Sequence, residues 1–146
     1  MVKIGNVLSL FDGMSGGQLA LRSAGIEYDA YYSSEIKPHA IAVTQHNFPE
    51  TIQVGDVTEL TKSDLPKIDL LIGGSPCQDL TILGQSREGL EGKKSILFFE
   101  YVRLLKELKP KYFLLENVAS MRNADRDLIS KILGVEPILI NSNLVS

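Results

Sequence analysis

Only one cysteine stands in these 146 residues, so no internal disulfide can form. With two histidines beside it, His39 and His46, no structural zinc set can be assembled. If Cys77 matters, it matters as a thiol. No apolar run approaches the roughly 18 residues of a membrane span, and no basic-then-apolar start resembles a signal peptide. The chain therefore reads as soluble and cytosolic. A basic excess is missing too: 15 Lys and Arg against 18 Asp and Glu leave a net charge of −3. That is the wrong sign for a domain that holds nucleic acid through its overall field, so any phosphate contact must come from local basic residues or another part. Repeats, low-complexity tracts and interdomain linkers are absent as well. What is present, 44% hydrophobic and 23% charged residues, suffices for one globular domain with a core.

Apolar stretches alternate with amphipathic ones. Ile4 to Phe11, Tyr28 to Ser33, Ile52 to Val54, Ile68 to Ile72, Tyr112 to Leu115 and Ile138 to Ile140 read as strands. Ser15 followed by Gln18 has the form of a capping box and Gly25 that of a C-cap glycine, which predicts a helix from about Gly16 to Ala24. Pro38 suits a first helical position and leads a second helix towards Asn47. Between Ser95 and Leu108, the stripe Leu97, Tyr101, Leu104, Leu105 and Leu108 opposes Glu100, Arg103, Lys106 and Glu107. A last helix runs around Arg126 to Leu133 and ends at Gly134. Alternating strands and helices specify an α/β fold, a Rossmann-like, doubly wound and mostly parallel sheet covered on both faces. After Ile140 the run Asn141 to Ser146 brings no closing element, so the fold reads as incomplete at its C-terminus.

The first strand passes through Phe11-Asp12-Gly13-Met14-Ser15-Gly16-Gly17 directly into a helix. Its glycines let the backbone turn tightly and approach a ligand at a helix N-terminus, a place that favours an anion. The spacing departs from the dinucleotide fingerprint G-x-G-x-x-G, and a plain tight turn is the alternative. Glu35 ends the second strand about 20 positions on, where a carboxylate accepts from a ribose diol. Asp56, after the third strand, suits an exocyclic amine. Each carboxylate alone fits a solvated loop or a cap. Together, at three successive strand ends, they describe a nucleoside site. The fourth strand delivers Gly73-Gly74-Ser75-Pro76-Cys77-Gln78 to the same edge, and the fifth delivers Glu116-Asn117-Val118. Cys77 reads as a nucleophile or as a small buried apolar residue; Glu116 reads as an acid or as a helix-start carboxylate.

In this order and spacing, the glycine loop, Glu35, Asp56, the Ser75-Pro76-Cys77-Gln78 segment and the Glu116-Asn117-Val118 segment resemble the successive motifs of the cytosine-5 DNA methyltransferases. The resemblance covers nearly the whole chain. Asp79-Leu80-Thr81-Ile82, Leu97-Phe98-Phe99-Glu100 and Asn141 to Ser146 are similar to the de novo-type enzymes and to phage and bacterial members. It implies an S-adenosylmethionine-dependent methyltransferase fold, bacterial or phage-encoded, with S-adenosylhomocysteine as product. It places Phe11, Asp12, Gly13 and Gly16 on the cofactor, Glu35 on the ribose hydroxyls and Asp56 on the adenine amine, with Ile36, Val57, Pro76 and Leu97 as an apolar wall. It makes Cys77 the nucleophile on carbon 6 of a flipped cytosine and Glu116 the carboxyl group at ring nitrogen 3. Ser75, Gln78, Arg87, Asn117 and Val118 fall against the substrate, and Arg87, Lys93 and Lys94 lie on a segment that closes over the base, or form an ordinary solvated loop. His39 and His46 are assigned to an exposed helix without function.

Members of that family continue past this length with an arginine-containing motif, a target-recognition region and a returning C-terminal helix. The resemblance thus implies DNA as the partner of a complete enzyme. Target recognition would then be carried by a missing C-terminal region or by a second chain; no metal and no membrane enter. Two alternatives stand beside it: a tRNA cytosine-5 methyltransferase of the same family, and a catalytically silent cofactor-binding or interaction module. Amino-methyltransferases fit less well, because they resemble Asp/Asn/Ser-Pro-Pro-aromatic where this chain has Ser75-Pro76-Cys77.

Overall fold

A computed structural model of the protein describes residues 2–74, 95–117, 123–141 and 143. Five strands, β1 (Val2–Leu10), β2 (Ile26–Ser34), β3 (Ile52–Gln53), β4 (Leu70–Gly74) and β5 (Tyr112–Glu116), alternate with helices α1 (Gly16–Ser23), α2 (Pro38–Asn47) and α3 (Ser95–Leu108). Two 3-10 turns, Val57–Glu59 and Lys62–Asp64, separate β3 from β4, and α4 (Asn123–Leu133) follows β5. The strand order is β3-β2-β1-β4-β5, with all four pairings parallel. This is the doubly wound α/β topology expected.

β1 is central because its second half is apolar on both faces. Val7, Leu8 and Leu10 are fully enclosed, as a strand between two covered faces requires. It is also the half that pairs with both neighbours, Val7 with Tyr31 and Leu70, Leu10 with Ser34 and Gly73. Val7 joins Leu21 of α1 and Tyr31 of β2 in one cluster, ringed by Ile4, Ile26, Tyr28, Leu70 and Ile72. Of the stripe read from the sequence of α3, Tyr101 and Leu104 have 0% exposure while Leu97, Leu105 and Leu108 are half-buried; Phe98, outside that stripe, is fully buried as well. The Tyr101 ring lies against Gly73 on β4, where a Cβ would come within 2.8 Å of two ring carbons. Only glycine lets α3 approach that closely.

The chain divides into two compact units. One holds all five strands, α1, α2 and α3 from Leu97 onward; the other holds, among the described residues, Ser95, Ile96, Asn117, α4 and the segment after it. α4 buries Asp125 and Ile129, four residues apart on one face. It begins three residues before the expected Arg126. Asp125 sits in its first turn, where a carboxylate is favoured by the helix dipole. Gly134 closes it with φ +72°, as read.

Two expectations are corrected. Ile138 to Ile140 form no strand; they are 87, 80 and 72% exposed. Apolar, β-prone residues become a strand only where a neighbour takes their hydrogen bonds, and among the described residues none does. Ser15 and Gln18 form no capping box either. Ser15 is left-handed, with φ 68°, and its side chain caps no amide. Gln18 is buried and must satisfy its amide inside the protein: it donates to Ser15 Oγ (2.9 Å) and Thr51 Oγ1 (2.7 Å) and accepts from the Tyr28 hydroxyl (2.7 Å).

Candidate functional site

The C-terminal ends of β1, β2 and β4 lie side by side, with Leu10 in register with Ser34 and Gly73. In open parallel sheets this edge is where ligands bind. Three of the five residues from Phe11 to Ser15 are left-handed: Phe11 (φ 55°), Gly13 (φ 60°) and Ser15 (φ 68°). Glycine adopts that conformation freely. For Phe11 and Ser15 it costs on the order of 1–2 kcal/mol each, so surrounding bonds must hold the loop.

Those bonds come mainly from β2. The Asp12 carboxylate is buried and turned towards the strand, where it accepts from the Tyr31 hydroxyl at 2.7 Å and from Ser33 Oγ at 2.9 Å. The Asp12 amide donates to the Ser34 carbonyl at 3.3 Å, and the Ser15 amide donates back to the Asp12 carbonyl at 3.1 Å. From α2, the Thr44 hydroxyl donates to the Gly13 carbonyl at 3.3 Å. Burial and the adjoining Asp12 carboxylate push the Tyr31 phenol well above the ordinary tyrosine range. A Cβ on Gly17 would sit 2.6 Å from the Tyr31 oxygen, so this glycine is what allows α1 to lie over β2. Gly16 differs: it is exposed, its φ is ordinary, and among the described residues a Cβ there would meet nothing within 4 Å. It leaves open space at the start of α1.

Glu35 continues the β2 alternation Tyr31, Ser33, Glu35. Its carboxylate accepts from the following Ile36 amide at 3.1 Å, and Ile36 is 66% exposed, a large apolar side chain beside an acceptor. Asp56 caps the first 3-10 turn, and both its bonds, from the Thr58 amide (2.9 Å) and hydroxyl (2.8 Å), fall on Oδ1. Val57 is buried, and its carbonyl accepts from Arg103 of α3 at 3.0 Å. Leu97 is half-buried in the first turn of α3. Glu116 ends β5 in register with Gly74, and its Oε2 lies 3.2 Å from where a Gly74 Cβ would be. It is exposed, and Asn117 after it is partly buried. Ser75, Pro76, Cys77, Gln78, Arg87, Lys93, Lys94 and Val118 lie outside the described residues.

The structure therefore brings the glycine loop, Glu35 and the Asp56 turn to one edge of one unit. Residues that sequence reasoning passed over also shape that edge. Tyr31, Ser33 and Thr44 hold the loop; the period-2 alternation of β2, which puts Tyr31 and Ser33 on Glu35's face, was the available signal. Arg103 pairs with Glu100 (2.7 Å) and Glu107 (3.3 Å), as its helix spacing allows, yet also reaches the Asp56 turn, which no local pattern reveals. His39 and His46 are both exposed on α2. Among the described residues no group of three or more side chains could hold a metal ion, and no helix is long and apolar enough to cross a membrane.

Comparison with known proteins gives consistent matches. The model of the C-5 cytosine-specific DNA methylase family matches residues 5–134. The chain is 43% identical over 122 residues to an orphan methyltransferase of Bacillus phage rho11s, an overlap covering 82% of this chain and 24% of that protein. It is 39% identical over 123 residues to a type II methyltransferase of Neisseria gonorrhoeae, covering 82% of this chain and 29% of that one. Among solved structures, a mutant of Spodoptera frugiperda DNMT2 superposes with a TM-score of 0.68 at 25% identity, over 90% of this chain and 41% of the other. The chain thus spans less than a third of the length of these curated relatives.

Proposed function

The chain belongs to the C-5 cytosine-specific DNA methylase family, and on that premise we propose that it binds S-adenosylmethionine across its strand ends and carries catalytic residues for cytosine-5 methyl transfer to DNA. One observation carries this reading: a strained glycine loop, an acceptor beside an exposed apolar side chain, and a second carboxylate meet at a single sheet edge. The residues fit the cofactor. Glu35 engages only its own neighbour's amide among the described residues and is available to a ribose diol. Ile36 offers an apolar face to an adenine ring, and Oδ2 of Asp56, which accepts from no described residue, remains for its amine. The open space at Gly16, at the start of α1, suits a carboxylate. Phe11 and Gly13 border it, Leu97 extends the apolar wall to which Pro76 would belong, and Val57 contributes its carbonyl to Arg103. When bound, the cofactor supplies an electrophilic methyl group.

Cytosine's carbon 5 is a poor nucleophile, which sets the tasks of the remaining residues. The Cys77 thiolate adds to carbon 6, while Glu116 holds or protonates ring nitrogen 3 as charge develops there, so that carbon 5 becomes enamine-like. After methylation a base removes the carbon 5 proton, the carbon–sulfur bond breaks and the thiol is regenerated. The base must first leave the duplex, because carbon 6 is unreachable in the stack. Ser75, Gln78, Asn117 and Val118 would border the flipped base, and Arg87, Lys93 and Lys94 would close over it towards phosphate.

A net charge of −3 gives these 146 residues no general attraction for DNA. They are expected to bind cofactor weakly and to transfer no detectable methyl group on their own. Titration with S-adenosylhomocysteine, followed by NMR, tests the cofactor reading. Glu35→Gln should raise the Kd about ten- to a hundredfold, the loss of up to two charge-assisted hydrogen bonds, with melting unchanged. Absence of binding to the unaltered chain would sink the cofactor reading, and robust methylation by the isolated chain would sink the expectation of inactivity.

A further inference from the structure

The Asp12 carboxylate sits within the glycine loop yet offers neither oxygen to the outside. Oδ1 takes the Tyr31 hydroxyl and Oδ2 takes Ser33 Oγ. Asp12 is only 9% exposed, Tyr31 2% and Ser33 0%. A buried carboxylate is tolerated only when its lone pairs are met, so this pair of bonds fixes where the loop backbone can lie. The loop needs that fixing, because Phe11 and Ser15 on either side of Asp12 are left-handed without being glycine. The two donors stand on β2 in the same alternation as Glu35, two residues beyond Ser33. One strand face therefore carries both the clamp of the loop and the acceptor read as meeting the ribose.

We propose that Tyr31 and Ser33 are positioning residues for the cofactor: through the Asp12 carboxylate they lock the glycine loop in the conformation that receives the ligand's amino-acid end, in register with Glu35. This rests on the cofactor reading above and extends it to residues that touch no ligand. The lock is selective. The half of the ligand that meets the loop and the start of α1 carries a carboxylate, whereas the nucleoside half meets Glu35 and Asp56, which are held independently. Weakening the clamp should cost affinity for S-adenosylhomocysteine and leave adenosine nearly unaffected. Losing one charge-assisted hydrogen bond suffices to lower the population of the receiving loop conformer about tenfold, and the apparent Kd rises by that factor.

The experiment compares S-adenosylhomocysteine and adenosine binding by NMR titration for the unaltered chain, Tyr31→Phe, Ser33→Ala, Ser33→Thr and Tyr101→Phe. Tyr101 is a buried tyrosine of α3, hydrogen-bonded to the Leu71 carbonyl at 3.4 Å and no part of the loop. Expected are about tenfold weaker S-adenosylhomocysteine binding in Tyr31→Phe and Ser33→Ala, a change below about twofold for adenosine, rescue by the hydroxyl of Ser33→Thr, and no change of ratio in Tyr101→Phe. An equal loss for both ligands, or the same ratio shift in Tyr101→Phe, would overturn the proposal, since a general loosening of the fold would explain it. Hydrogen exchange of the amides of residues 11–17 is read alongside. If the unaltered chain binds neither ligand, the cofactor reading falls by itself; exchange in this loop no faster in Tyr31→Phe than in the unaltered chain would then remove the clamp as well.

Discussion

Replacing Gly17 with alanine tests the contact between α1 and β2 directly. The added methyl would stand 2.6 Å from the Tyr31 oxygen, 3.5 Å from Ile72 Cδ1 and 3.7 Å from Tyr31 Cζ. The first of these is about an ångström inside contact distance. The Tyr31 oxygen cannot swing aside cheaply, because its ring is 2% exposed and its hydroxyl is committed to Asp12 at 2.7 Å. Overpacking of this kind costs about 1–3 kcal/mol. Alanine returns about 1 kcal/mol of helix propensity over glycine, so the net loss should be at most about 2 kcal/mol. For a chain of this size that lowers the melting temperature by up to about 8 °C. Tyr31→Phe alone should cost about 1–3 kcal/mol, because it strands Asp12 Oδ1. In the double variant the obstructing oxygen is gone, so the overpacking cost disappears and the propensity gain remains. Urea denaturation followed by circular dichroism should therefore find the double variant more stable than the sum of the single losses by about 1–3 kcal/mol. Strict additivity would refute the assignment of Gly17 to close packing against the Tyr31 hydroxyl.

Gly16→Ala should behave oppositely to its neighbour. With no atom of the described residues within 4 Å of the new Cβ, stability should hold or rise by up to about 1 kcal/mol, while S-adenosylhomocysteine binding weakens measurably; unchanged binding would mean that the open space is not ligand space. Alkaline pH should destabilise the fold through Tyr31 and Tyr101, both raised above the ordinary tyrosine value, chiefly by burial. Below pH about 10 each is protonated in both states and this stability is fully present; above it the unfolded chain releases protons that the folded chain keeps, so unfolding is favoured by about 1.4 kcal/mol per pH unit for each. Urea midpoints measured from neutral pH to about pH 11 should fall less steeply in Tyr101→Phe than in the unaltered chain, and equal slopes would discount burial of that phenol.

Much of this edge was legible because parallel-sheet topology leaves few choices. Once Ile4 to Phe11 and Tyr28 to Ser33 are read as strands with a glycine loop between them, Glu35 and the loop must share an edge, and the register of Leu10 with Ser34 places them so. The buried Tyr101 and Leu104 of the α3 stripe follow from helical periodicity, whereas Phe98, equally buried, lies outside that stripe. What could not be read were features set by partners distant in the chain. Ile138 to Ile140 carry every local mark of a strand and have no neighbour to bond with among the described residues. Gln18 looked like half of a capping box until the Thr51 hydroxyl, 33 residues away, claimed its amide. Asp12 looked like a residue for the ligand, and its charge is spent inside the protein.

That last difference has a physical consequence for where function resides. A loop with left-handed Phe11 and Ser15 stores on the order of 2–4 kcal/mol, comparable with what the Tyr31 and Ser33 bonds to the Asp12 carboxylate supply at about 1.5–3 kcal/mol each. Neither term alone determines the loop: without the strain the clamp would hold a shape many sequences could adopt, and without the clamp the strain would relax. The near balance means that a core substitution on β2 can move this sheet edge as far as a substitution at the edge itself. On the proposed cofactor reading, residues such as Tyr31, buried and silent to any motif, bear on this edge as much as the exposed Ile36 does.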